Sequence, residues 1–233
     1  MYKRILIKLS GEALVGDKRF GFDERPATLV AEEIREIVSK GIEVALVVGA
    51  GNIWRGRDNR NMDMTKSHHI GILSTVINAI YMGDILRMNG VETIVQTPFV
   101  VGSMTEQFVK EKAIDYMKKG KVVIFAGGTG HPFFSTDTGA ALRAIEIEAD
   151  ILLLAKSIDA VYDADPKQNI GAKKYDEITC QDIIKKGLRV VDLTATSLCL
   201  ENGMNMRLFA LSEERSILKI LNGERLGTII MAE

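Results

Sequence analysis

Cysteine is almost missing from this 233-residue chain. Cys180 and Cys199 are too few for a disulfide framework, and a reducing cytoplasm is the expected compartment. A surplus of charge is missing as well. The 30 Lys and Arg face 31 Asp and Glu, a formal net charge of −1, so nucleic acid binding through bulk positive charge is not indicated. No apolar run reaches the roughly 18 residues of a membrane span, and no membrane partner is expected. The N-terminus enters a strand-like run at once, without a signal peptide. Two phosphate-binding signatures are absent too. No G-x-x-x-x-G-K-[ST] occurs, and no G-x-G-x-x-G follows a strand-like run, which excludes a Walker A loop and a dinucleotide turn. There is no repeat, low-complexity tract or linker to separate independent domains.

What remains is a chain that is 46% apolar and 26% charged, the balance of a packed globular core. Continuous apolar runs at Ile5–Leu9, Val44–Val48, Thr93–Val95, Val122–Phe125 and Ile151–Leu154 read as strands buried on both faces. Helical spacing covers Ala27–Ser39, Ser67–Met88, Glu106–Lys118 and Thr138–Glu148, and Gly41, Gly90 and Gly120 close three of these helices. Alternating strands and helices predict an α/β fold, a three-layer αβα sandwich around a mostly parallel sheet. Asp159–Lys174 is polar and reads as a surface excursion. Helices at Cys180–Lys186 and Thr194–Asn202 follow, then strands at Met206–Leu211 and Gly227–Met231 with a short helix between them.

Ligands of open parallel sheets bind beyond the carboxyl ends of the strands. The first strand leads into Lys8-Leu9-Ser10-Gly11-Glu12, the second into Gly49-Ala50-Gly51-Asn52 with Trp54 and Arg55, and the fifth into Lys156 and Asp159. The fourth leads into Phe-Ala-Gly-Gly-Thr-Gly-His-Pro-Phe-Phe-Ser-Thr-Asp, Phe125 to Asp137. Glycines there admit close backbone approach, and Ser135 and Thr136 open a helix whose N-terminus favours an anion. Each of these residues taken alone is a turn glycine, a helix cap or a solvated lysine. Their occurrence after successive strands points to a site for several phosphates.

Lys8 to Glu12, Gly49 to Arg55, Gly128 to Asp137, Ile145 to Asp150 and Ala164-Asp165-Pro166 together resemble the bacterial uridylate kinases of the amino acid kinase family. The resemblance runs from Tyr2 to the final strand. It implies one domain over 1–233, with an acceptor lobe over about 1–150 and an ATP lobe over about 151–233. It implies transfer of the ATP γ-phosphoryl group to UMP in pyrimidine nucleotide biosynthesis, with Mg²⁺ held through the phosphates near Asp137. Lys8, Leu9, Ser10, Gly11, Gly51 and Arg55 would hold the ATP phosphates, and Lys156, Tyr162 and Asp165 the adenosine end. UMP would lie across Ala50, His68, Thr129, Gly130, His131, Pro132, Phe133, Phe134, Ser135 and Thr136. Asp137 and Asp192 would complete the catalytic centre by orienting Lys8. A homohexamer built through the long helix near Ser67–Met88 is also implied.

The chain departs from the family pattern at three acceptor-side positions. Ala50 replaces a glycine, His68 an aspartate that contacts the ribose, and His131 an asparagine. Two rival expectations remain: the same fold acting on another small acceptor, or a nucleotide-binding regulator or storage protein without turnover. Gly16–Gly21 resembles an effector loop, whereas Gly83 stands where some members carry an arginine.

Overall fold

The computed structural model describes residues 2–54 and 62–233 apart from Asp17 and Arg19. Its strands are β1 (Arg4–Leu9), β2 (Glu43–Val48), β3 (Thr93–Thr97), β4 (Glu106–Gln107), β5 (Val122–Phe125), β6 (Ile151–Lys156), β7 (Val161–Tyr162), β8 (Lys174–Tyr175), β9 (Glu177–Thr179), β10 (Met206–Ala210) and β11 (Thr228–Met231). Nine of them form one sheet in the order β4-β3-β5-β2-β1-β6-β10-β11-β9. Only the β10–β11 pairing is antiparallel. β7 and β8 make a separate antiparallel ribbon within the polar excursion.

The helices are α1 (Glu24–Ser39), α2 (Met64–Met88), α3 (Lys110–Lys118), α4 (Thr136–Glu146), α5 (Cys180–Lys186), α6 (Leu193–Glu201) and α7 (Ser216–Leu221). They cover both faces of the sheet. α1, α2 and α7 pack on the side that receives Ile5, Ile7 and Leu9. α3, α4, α5 and α6 pack on the side that receives Leu6. Side chains alternate along a strand, so Lys8 shares the Leu6 side and points toward α4.

The parallel α/β sandwich expected from the sequence is the fold observed, and several element boundaries differ from expectation. Glu106 and Gln107 are an edge strand rather than the start of a helix, because they pair with Gln96 and Thr97. The helix begins only at Lys110, after Phe108 has docked edge-on against Phe125. α4 stops at Glu146, two residues early, where Glu148 adopts a left-handed φ of 57°. β9, unanticipated, pairs in parallel with β11 at the far edge. α2 is long and apolar enough by length and composition to cross a bilayer, but half of its most apolar window is buried inside the protein.

Candidate active site

The carboxyl ends of β1, β2, β5 and β6 meet around one buried carboxylate. Asp137 sits in the first turn of α4 and is only 7% exposed. Lys8, from the end of β1, places Nζ 2.8 Å from Asp137 Oδ1. Lys156, the last residue of β6, places Nζ 2.5 Å from Oδ2 and donates to Val190 O at 2.6 Å. Oδ1 meets Lys8 as a charge contact without aligned hydrogen-bond geometry and has no other donor. Burial alone would push the Asp137 carboxyl up, but the two ammonium groups outweigh it and hold it down to about 2. Burial also lowers Lys156, with Lys8 adding to the effect and Asp137 opposing it. Two lysines thus meet one carboxylate at the cleft, and the Asp192 carboxylate also acts on Lys156.

Asp192, expected with Asp137 to orient Lys8, is tied to the start of α4 through shared hydrogen-bond partners. It caps α6 by accepting from Ala195 N at 2.9 Å. It also accepts from Thr138 Oγ1 at 3.1 Å and from Ser135 Oγ. Ser135 Oγ in turn accepts from the N–H groups of Asp137 and Thr138, both at 3.1 Å. This chain of bonds fixes the start of α4, and Asp137 with it, against α6.

A cleft of about 460 Å³ opens beside Lys8. Its walls bring together Ser10, Gly11, Ala50, Gly51, His68, Thr129, His131, Phe134, Ser135 and Thr136, all anticipated from the sequence, with Trp54 and Thr75. The glycines have steric reasons. A Cβ on Gly11 would lie 2.5 Å from Gly49 O and 2.6 Å from Gly51 N, so the β1 and β2 loops close only around a hydrogen. Gly127, Gly128 and Gly130 all take positive φ, a tight path that side chains rarely follow. His68 Nδ1 accepts from Phe133 N at 3.1 Å, with the two rings 4.9 Å apart. Phe133 holds φ 71° and is exposed, as is Phe134, so neither ring is core packing.

Other anticipated residues lie elsewhere. Leu9 is fully buried in the core and offers no side chain. Gly130, Pro132 and Phe133 belong to the loop after β5 without lining the cleft. Tyr162 is on the β7–β8 ribbon, its hydroxyl 3.0 Å from Asp159 Oδ1. Asp165 accepts from Lys167 N within a turn. Arg55 lies outside the described residues. A larger cavity, about 960 Å³, extends from Ser10, Glu12 and Lys156 between α1 and residues 211–215. Glu32, Glu36, Glu213 and Glu214 line it together with Arg35 and Arg215.

Sequence reasoning missed Thr75 and Asn78, and named Asn52 only as part of the loop after β2. The available signal was a pair of polar residues three apart within the apolar middle of α2, Thr75 and Asn78, with Ser74 beside them.

Among family models, the chain matches the amino acid kinase family over residues 3–210. Among solved structures it is similar to UMP kinase from Bacillus anthracis, with 35% identity and a TM-score of 0.95 over 100% of this chain and 97% of that one. UMP kinase from Ureaplasma parvum shares 34% identity, with a TM-score of 0.92 over 99% of each chain. Uridylate kinase from Archaeoglobus fulgidus shares 26% identity, with a TM-score of 0.76 over 97% of this chain and 99% of that one. With a lysine-flanked aspartate at converging strand ends and a family match across most of its length, the chain belongs to the amino acid kinase family.

Proposed function

We propose that this protein is a UMP kinase, converting ATP and UMP to ADP and UDP. The observation that carries the reading is the buried Lys8–Asp137–Lys156 cluster at the mouth of a glycine-walled cleft. It supplies fixed positive charge where two phosphate-bearing substrates would meet. Similarity to UMP kinases along the whole chain supports UMP as the acceptor.

In the reaction, a UMP phosphate oxygen forms a bond to the γ-phosphorus as the bond to the β,γ-bridging oxygen breaks, and ADP leaves with that electron pair. No general base is required, because the attacking phosphate, with a second pKa of about 6, is already ionised near neutrality. Catalysis then rests on positioning and on charge stabilisation. Lys8 stabilises the moving phosphoryl group, and ionised Asp137 keeps both ammonium groups in place. The backbone at Ser10, Gly11 and Gly51 takes the donor phosphates, with Tyr162 and Asp165 toward the adenosine. Ala50, His68 and the segment Thr129–Thr136 take UMP. Residues of about 1–150 then make the acceptor lobe and residues of about 151–233 the ATP lobe, with Ser10, Gly11 and Gly51 reaching the donor phosphates from the first.

Among the described residues no cluster of three or more His, Cys, Asp or Glu could hold a metal. Both oxygens of Asp137 already face ammonium groups. The residues therefore fit a Mg²⁺ that is held by the phosphates themselves, near Asp137. When bound, it would neutralise charge on the donor phosphates.

Leu73, Ile77 and Ile80 leave an apolar ridge of α2 exposed, which supports assembly into a hexamer. The test is ADP release from MgATP with UMP, CMP, AMP, acetylglutamate and carbamate as separate acceptors. Release with UMP alone is expected; release with a different acceptor alone, or with none, overturns the reading.

A further inference from the structure

Two polar side chains of α2 face inward, one turn apart. Asn78 is fully buried, and its Nδ2 donates to Gly49 O at 2.6 Å and to Asn52 Oδ1 at 2.6 Å. Asn52 is 2% exposed, and its Nδ2 donates to Asn78 Oδ1 at 3.0 Å and to Gly21 O at 3.1 Å. Neither amide can be turned around. Each nitrogen faces a backbone carbonyl, which can only accept. Thr75 lies three residues earlier on the same helix. Its Oγ1 accepts from Gly127 N at 2.8 Å and donates to Ile72 O at 2.6 Å.

These bonds reach two different strand-end loops. Asn78 holds the loop after β2, whose Gly49 O and Gly51 N leave no room for a Cβ on Gly11 of the β1 loop. Thr75 holds the loop after β5, where the run to Asp137 begins. One rigid helix therefore spans the cleft and ties down both walls.

We propose that Asn78 and Thr75, with Asn52, are positioning residues that set the distance between the donor-phosphate loops and the acceptor loop. The inference rests on the kinase reading above and deepens it. None of the three acts on the reacting atoms directly. A buried donor left without its acceptor is costly, and a displacement of about 1 Å at a reacting centre lowers rate by about a hundredfold. The two anchors grip different loops, so their loss has different kinetic signatures.

The experiment compares Asn78→Asp, Thr75→Val and Thr75→Ser with the wild type by steady-state kinetics in MgATP and UMP, alongside thermal melts. Asn78→Asp keeps the shape but removes the donors to Gly49 O, and kcat is expected to fall about a hundredfold. Its loss, relative to the wild type, is expected to shrink as pH falls, because a protonated carboxyl can again donate to Gly49 O. Thr75→Val keeps the branched shape but leaves Gly127 N unpaired. KM for UMP is expected to rise about tenfold with KM for ATP little changed. Thr75→Ser restores the oxygen and is expected to restore KM. The proposal is overturned if folded Asn78→Asp and Thr75→Val show wild-type constants, if Thr75→Ser behaves as Thr75→Val, or if every loss simply follows melting temperature. Wild-type turnover of UMP tests the underlying kinase reading separately.

Discussion

Lys156 Nζ lies 2.5 Å from Asp137 Oδ2, so the oxygen left for Lys8 is Oδ1. One carboxylate thereby holds two lysines from different strands at the cleft. Breaking a buried ion pair by removing one partner costs about 3–5 kcal/mol, because the other charge is stranded. Asp137→Asn strands two. Its melting temperature is expected to fall clearly in calorimetry, with kcat reduced by about a thousandfold and an altered magnesium dependence. Unchanged kcat and magnesium dependence would remove Asp137 from the centre.

Lys8→Ala is expected to lower turnover by about three orders of magnitude while UMP still binds, as read by calorimetric titration. Near-normal turnover would show that the phosphoryl group does not depend on this lysine.

The acid side of the pH profile has two separate causes. Asp137 is held at about 2, below the ordinary carboxylate range, so it stays ionised wherever turnover is measured. Its depressed value contributes stability that is fully present above the unfolded carboxylate pKa and is lost as pH falls from about 4 toward 2, worth about 2 kcal/mol. The acid limb of kcat/KM for UMP should instead follow the acceptor phosphate, near pH 6. A UMP analogue with a more acidic phosphate should move that limb down by the difference in phosphate pKa. A limb that stays fixed would assign the titration to the protein.

Gly11→Ala tests the close approach of the first two loops. The added Cβ meets backbone at 2.5 Å and 2.6 Å, so the loops must separate, and kcat/KM should fall about a hundredfold. Gly41→Ala is the control. It has a positive φ of 78° but open space around it, so it should cost about 1 kcal/mol of stability and leave the kinetics alone.

Charge placed on the exposed ridge of α2 tests assembly. Ile77→Glu is expected to shift the protein from hexamer to smaller species in light scattering, with the helical signal in circular dichroism retained. A mass unaffected by the substitution would move the interface elsewhere.

The strands and most of the cleft were legible because their signals are local. Continuous apolar runs specify strands covered on both faces, and the residues that follow them fall on one edge of a parallel sheet. The partnerships were not legible. Lys156 was expected toward the adenosine, and only the register of β1 beside β6 brings it to the same carboxylate as Lys8. Asp192 was expected beside Lys8, but its partners, a helix N-terminus and two hydroxyls, lie on α6 and α4 and could not be read from its neighbours in sequence. Thr75 and Asn78 were not singled out, because their acceptors and donors lie on loops distant in sequence. The edge strand at Glu106–Gln107 was hidden by its length, since two residues carry no periodicity.

The order of strands at the far edge has a consequence for the birth of the protein. β9 has no place in the sheet except against β11, and β11 sits between β9 and β10. During synthesis β9 must therefore wait, unpaired, until residues 180–227 and then the last strand have left the ribosome. The part of the sheet built from β1 to β5 can form well before that. A chain halted late in translation would thus carry a largely formed sheet with an open edge, which invites aggregation or chaperone capture.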